Sequence, residues 1–212
     1  MANVDDFKCT EYPEDLLNAI FEHQHNLAVK YIPIEQSNGL CLYDQIPADI
    51  DNAKAQARIK DMSWRAVEEV AEAYEAYENG EDTHFLEELA DALHFLIEKY
   101  LLCGFRPKRT LEEYFNSLDA QLARDEGEHN ATIAYVGEFC VACGLTCNCL
   151  KNKPWKQSQI LTDKAKFERL LEAEFGQFII LCSRAGFSDA KSLYNMYNRK
   201  NQVNQFRQRS NY

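Results

Sequence analysis

The chain is short of the residues that interrupt helices, with 8 Gly and 5 Pro among 212. It also has no run of strictly alternating polar and apolar residues and no hairpin signal. Both absences argue against a strand-rich fold. Positive charge is scarce too: 23 Lys and Arg stand against 34 Asp and Glu, for a formal charge of −11 and a pI near 5.0. Such a chain repels nucleic acid polymers and anionic membranes unless a local basic patch intervenes. A small polyphosphate held through metal ions remains compatible with it. No apolar run approaches the roughly 18 residues of a membrane span. Residues 1–8 are polar and acidic, unlike a signal peptide. The expectation is a cytoplasmic protein whose eight cysteines are reduced thiols.

What is present is helical pattern. Hydrophobic residues make up 46%, enough for a sizeable core. Apolar residues at 16, 17, 20, 27 and 31 mark a first helix from Pro13 toward Tyr31, with breaks expected at Pro33 and Ser37-Asn38-Gly39. Residues 49–78 read as one or two helices ending at Asn79-Gly80, and 83–103 as a helix ended by Gly104. After a turn at Arg106-Pro107 comes a short amphipathic helix over 110–124, then a polar loop over 125–130. Residues 132–150, 162–185 and 188–206 complete the set, with a break at 152–154 and a stop at Gly186. The fold class is all-α, a helical bundle forming one domain over 1–212. A weak internal repeat, with a degenerate second copy from about residue 132, pairs the segment 94–105 with 177–187. In it Asp91 corresponds to Glu174, and Glu88 to apolar Leu171.

The chemistry is concentrated in two acidic pairs, Glu69-Val-Ala-Glu72 and Glu88-Leu-Ala-Asp91. Residues i and i+3 share a helix face, so each pair aims two carboxylates at one point. Two such helices side by side surround a common space with oxygen ligands, which suits Mg²⁺ or Mn²⁺. The bland alternative is a solvated acidic face. Against it, Leu89, Ala90, Leu93, Phe95 and Leu96 surround the second pair with apolar residues, and buried carboxylates need a compensating cation. Glu68, Glu75, Glu78 and Glu87 are expected to face solvent.

Four further features draw attention. Lys200, Asn204 and Arg207 share one face of the last helix, in a tail dense in cations and amides; they fit phosphate oxygens, or simply a helix C-terminus. Lys153-Pro154-Trp155-Lys156 is either a phosphate clamp or a turn with Trp155 packed inward. Cys140, Cys143, Cys147 and Cys149 match no common zinc module, and the first three fall on a helical stripe. Glu22-His-Gln-His25 and Asp91-Ala-Leu-His94 place a carboxylate three residues before a histidine, as di-iron carboxylate bundles do. That class is the rival reading, although the cationic tail has no role in it. A non-catalytic nucleotide-binding module is the third.

Taken together, the two acidic pairs, Asp91-Ala-Leu-His94-Phe95 and the tail Tyr197-x-x-Lys200-Asn201-x-x-Asn204-x-x-Arg207-Gln208 resemble the dimeric all-α dUTPases. They are similar also to phage dCTPase/dUTPases and to MazG-type nucleotide pyrophosphatases. The likeness covers the first helix, residues 60–105 and the tail. It implies a homodimeric Mg²⁺-dependent diphosphatase, with Mn²⁺ a possible substitute, acting on dUTP, or else on dCTP or a modified pyrimidine triphosphate. By resemblance, Glu69, Glu72, Glu88 and Asp91 hold the metal, with Glu69 and Glu72 catalytic and Glu69 orienting and deprotonating the attacking water. Lys200, Asn201, Asn204 and Arg207 hold phosphates. Gln24 reads the base, and Trp64, His94 and Phe95 line the sugar and base pocket. The sequence departs from the family at Ala28, where an Asn is usual, and at the ending Asn211-Tyr212, where Gly-Tyr is usual.

Overall fold

A helix buried along most of its length must lie at the centre of a bundle, and Asp82–Cys103 (α3) is that helix. Leu89, Ala90, Ala92, Leu93, Leu96, Ile97 and Tyr100 are all fully buried on it. A computed structural model describes residues 11–37, 45–125, 131–153 and 155–209. In order the helices are α1 (Leu16–Ser37), α2 (Ala53–Glu78), α3, α4 (Leu111–Phe115), α5 (Leu118–Asp125), α6 (Ala131–Cys149), α7 (Lys164–Ala185) and α8 (Ala190–Arg209). No strand occurs among the described residues, and the fold is all-α.

α2 and α3 form the central antiparallel hairpin. Asn52 starts α2 by accepting from the backbone N–H groups of Lys54 and Ala55. The reversal at Asn79-Gly80 puts Gly80 at φ 72°, a left-handed conformation that suits glycine. Gly104 ends α3 in the same left-handed region, donating to Leu101 and Tyr100 carbonyls. α1 and α8 pack on one side of this hairpin. α1 does so through Leu16, Leu17, Ile20, Gln24, Leu27 and Ala28, one helical face. On the other side α6 packs against α2 and α7, with α7 also touching α3, α4 and α5.

The two layers are pinned by a buried ion pair. Lys99 Nζ lies 2.6 Å from Glu174 Oε1 and 2.7 Å from Oε2, and both side chains are fully buried. Thr146 accepts from the same ammonium at 3.0 Å and donates to Glu174. Glu174 is the repeat counterpart of Asp91, and here a lysine on α3 neutralises it.

Three expectations need correcting. α1 does not break at Pro33 but continues to Ser37. Pro33 removes one backbone hydrogen bond, and the turn beyond it is held instead by Glu35, whose carboxylate meets both terminal nitrogens of Arg58 at 2.6 and 3.2 Å. The single helix expected over 110–124 is two. Asn116 closes α4, Ser117 Oγ accepts from the Ala120 N–H to start α5, and Arg124 donates to the freed Phe115 carbonyl at 3.0 Å. Finally, α6 is long and apolar enough, by length and composition, to cross a membrane. Its Gly, Thr, Asn and Cys residues conceal this in the sequence. In the fold it seats Phe139, Cys143 and Thr146 in the interior and leaves Ile133, Val141 and Leu145 exposed.

Asn38, Gly39, Cys9, Cys41, Pro154, the loop at 126–130 and the Asn211-Tyr212 ending lie outside the described residues. The remaining cysteines are unpaired, and Cys143 and Cys182 are buried. They behave as small apolar fillers: burial pushes Cys103 up to about 12 and Cys143 well above the ordinary thiol range.

Candidate active site

Between α1, α2, α3 and α8 lies a cleft of about 830 Å³. Because α2 and α3 run antiparallel, residue 69 faces residues 88 and 91 at one end, and residue 58 faces residue 98 at the other.

The first end is acidic. Oxygens of Glu69, Glu88 and Asp91 lie within 4.8 Å of one another, and this is the metal-type grouping found among the described residues. Glu88 is buried and meets His84 Nδ1 at 3.1 Å, while Asp91 meets Lys200 Nζ at 2.5 Å. Glu69 is pushed up to about 8, chiefly by burial, then by a hydrogen bond to Glu88 and the charges of Asp91, Glu88 and Glu72. Carboxylates crowd here without enough positive charge, and one retains a proton in place of a cation. An all-oxygen donor set of this kind fits a hard divalent ion. Glu72 shares α2 with Glu69 but is exposed and stands outside the three-residue group.

The middle is lined by His94 and Phe95. His94 Nδ1 donates to the Ala90 carbonyl at 2.8 Å, and its ring stacks on Tyr197 with centroids 4.2 Å apart. Burial lowers its pKa to about 4, so the ring is neutral. Nε2 is then an acceptor, and it is buried without a protein partner.

The far end is a polar network that sequence reasoning missed except for Gln24. Gln24 Oε1 accepts from Tyr197 Oη at 3.1 Å, and Nε2 donates to Glu98 Oε2 at 3.3 Å. Arg58 Nη2 donates to Glu98 Oε1 at 3.0 Å as well as to Glu35. Burial raises the Glu98 pKa, opposed by the Arg58 guanidinium. The only signal in the sequence was charge inside an apolar pattern: Arg58 and Glu98 each interrupt a buried face.

α8 supplies the rim, with Asn204 and Arg207 lining the cleft. Other residues fall elsewhere. Asn201 is buried, its Oδ1 accepting from Gln205 at 2.7 Å. Trp64 is 61% exposed and is not among the lining residues. Trp155 does not pack inward but is 76% exposed, with Lys153 Nζ 5.3 Å from its ring centroid. Its neighbours Lys153 and Lys156 border a separate hollow at the start of α2. Glu87, expected in solvent, is half-buried and pairs with Arg199 at 2.8 Å. Of the di-iron candidates, Glu22 and His25 lie on the exposed side of α1 and are not brought to His94 and Asp91.

A family profile described as dUTPase matches residues 68–212, which include both acidic pairs but not Arg58 or α1 at the far end of the cleft. No curated protein and no solved structure matches the chain. A match over more than half the sequence, with the acidic corner, the neutral histidine and the α8 rim inside it, makes this chain a member of the dUTPase family.

Proposed function

We propose that the protein is a homodimeric, Mg²⁺-dependent deoxynucleoside triphosphate diphosphatase that hydrolyses dUTP to dUMP and pyrophosphate, with Mn²⁺ able to substitute. The observation carrying this reading is the order of groups along one cleft: three converging carboxylates, a neutral histidine, then an amide in a polar network. Asp91 and Glu98 are seven residues apart on α3, roughly 10 Å along the axis. That leaves room for a sugar between an α-phosphate and a pyrimidine edge.

Glu69, Glu72, Glu88 and Asp91 would hold the ions. Bound there, divalent metal supplies charge neutralisation for the phosphates and acidifies a water. Glu69 would take the proton of the attacking water. The water oxygen bonds to the α-phosphorus, the bond from that phosphorus to the bridging oxygen breaks, and the β and γ groups leave as pyrophosphate. Lys200, now paired with Asp91, would hold phosphate oxygens, and Asn204 and Arg207 the outgoing group. Asn201, being buried, acts on the phosphates only through the set of α8. His94 Nε2 accepts a hydrogen bond from the nucleoside, and Phe95 packs beside it.

The second reading, dCTP or a modified pyrimidine triphosphate, is favoured by Ala28, a buried apolar residue where an amide is usual. Incubation with Mg²⁺ and each of dUTP, dCTP, dTTP, dATP and dGTP, followed by pyrophosphate release, separates these. Release with one or two pyrimidines is expected. No release from any of them, with Mg²⁺ or Mn²⁺, overturns the proposal. Light scattering tests the dimer, and a monomer at assay concentration would remove that part.

A further inference from the structure

We propose that Glu98, held by Arg58 and Glu35, is a positioning residue that selects the pyrimidine by fixing which way round the Gln24 amide points. The inference rests on the nucleotide reading of the cleft.

An amide offers a donor on one side and an acceptor on the other, and the two sides are nearly isosteric. Uracil presents a donor at N3 and an acceptor at C4, whereas cytosine presents an acceptor at N3 and a donor at C4. An amide free to turn over satisfies either base. One locked in a single orientation satisfies one and leaves the other with two facing donors or two facing acceptors. A site with unpaired buried polar groups rejects its ligand strongly.

Gln24 is locked. It is 2% exposed, with Nε2 on Glu98 and Oε1 on the Tyr197 hydroxyl. Tyr197 Oη also lies 3.2 Å from the Ile20 carbonyl, so it could adapt to either end of the amide. Glu98 could not: turning Gln24 over would set Oε1 against a carboxylate. The lock holds while Glu98 is ionised, a form that Arg58 favours, against the effect of burial, by donating to its other oxygen at 3.0 Å. Arg58 is in turn fixed by its two contacts with Glu35. Each group retains capacity for substrate, since Gln24 Nε2 has a second hydrogen and Oε1 a second lone pair.

The test is Glu98→Gln, which keeps size and hydrogen bonding but accepts Gln24 in either orientation. The readout is the ratio of kcat/KM for the preferred pyrimidine triphosphate to that for the other one. We expect the ratio to fall by about tenfold or more, through the two KM values, with kcat for the preferred substrate within about twofold. Arg58→Lys, which keeps a cation but loses the fork joining Glu35 to Glu98, should move the ratio the same way. It stands in if Glu98→Gln melts below the assay temperature. Equal losses on both substrates, or a change confined to kcat, would overturn the inference and leave Glu98 a structural residue. Failure of the wild-type enzyme to hydrolyse any pyrimidine triphosphate is a different result, visible before any variant is made. It would overturn the nucleotide reading and this inference with it.

Discussion

Four carboxylates were drawn to one site by the sequence, but their surroundings differ, and so should the effects of replacing them. Glu88 is buried and within reach of both Glu69 and Asp91, while Glu72 is exposed and acts on Glu69 only through its charge. Removing a ligand from inside the group costs more than removing one at its edge. Glu88→Gln should therefore lower kcat/KM by about 100-fold or more, and Glu72→Gln by less. Steady-state kinetics at saturating Mg²⁺ checks the order, and an equal or greater loss at Glu72 would show that the exposed carboxylate matters as much as the buried one. Glu69 gives a second prediction. Its pKa is raised to about 8 from 4.5 in the metal-free protein, so the folded state holds a proton that the unfolded state has released. The stability that proton confers is complete below about pH 4.5 and is lost as pH rises through about 8. Metal-free protein should melt at a lower temperature at about pH 9 than at about pH 6, and Mg²⁺ should reduce the difference. Metal binding near neutrality should release about one proton, measurable by calorimetry in buffers of different ionisation enthalpy.

At the scale of elements, the helices that terminate by local chemistry were readable and those held by distant partners were not. Gly104 and Gly186, read as stops, each end a helix through a left-handed turn and hydrogen bonds to carbonyls within a few residues, whereas α2 and α7 start at the caps Asn52 and Asp163 rather than at 49 and 162. The three-residue spacing of the carboxylates likewise follows from helix geometry alone. Pro33 misled because the hold on the turn after it comes from Arg58, 23 positions from Glu35. The inner network stayed hidden for the same reason: Gln24 and Glu98 are separated by 74 residues, and nothing local in either signals the other. Lys99 and Glu174 are the clearest case, 75 residues apart and both wholly buried. That pair joins α3 to α7, with Thr146 of α6 as a third member. Replacing Lys99 by Met leaves the Glu174 carboxylate without its cation in the interior, and losses of about 3–5 kcal/mol are typical when one partner of a buried pair is removed. Urea denaturation should show a loss of that order for Lys99→Met. The double variant Lys99→Met with Glu174→Leu, which removes both charges, should recover most of it. A loss within about 0.5 kcal/mol, the range of ordinary surface changes, would mean that the pair does not hold the layers together.

For the whole molecule, the cleft depends on helices that come from both ends of the chain. Its walls are α2 and α3, but α1 closes the Gln24 end and α8 forms the rim with Asn204 and Arg207, and α1 and α8 also pack on each other. The family match starts within α2, at residue 68, yet Gln24, Glu35 and Arg58 all precede it. The acidic corner lies wholly inside the match, whereas the Gln24 end is shared between it, through Glu98 and Tyr197, and the segment before it. Lys200 links the two conditions of the site, because it occupies Asp91 while α8 carries Asn204 and Arg207 to the rim. On the proposed function, a divalent ion at Asp91 would free Lys200 for phosphate, and a bound triphosphate would give that lysine and the ion a common partner. Metal and nucleotide should consequently bind with positive coupling, each tightening the other. A ligand at about 100 times its Kd adds roughly 2.7 kcal/mol to stability. In the presence of a slowly hydrolysed dUTP analogue and Ca²⁺, the rise in Tm should exceed the sum of the rises from each alone. Lys200→Ala should reduce that excess by removing the exchange while leaving the carboxylates in place. If the two shifts merely add in the wild-type protein, the lysine is a fixed structural partner of Asp91, and the phosphates are held by Asn204 and Arg207 without it.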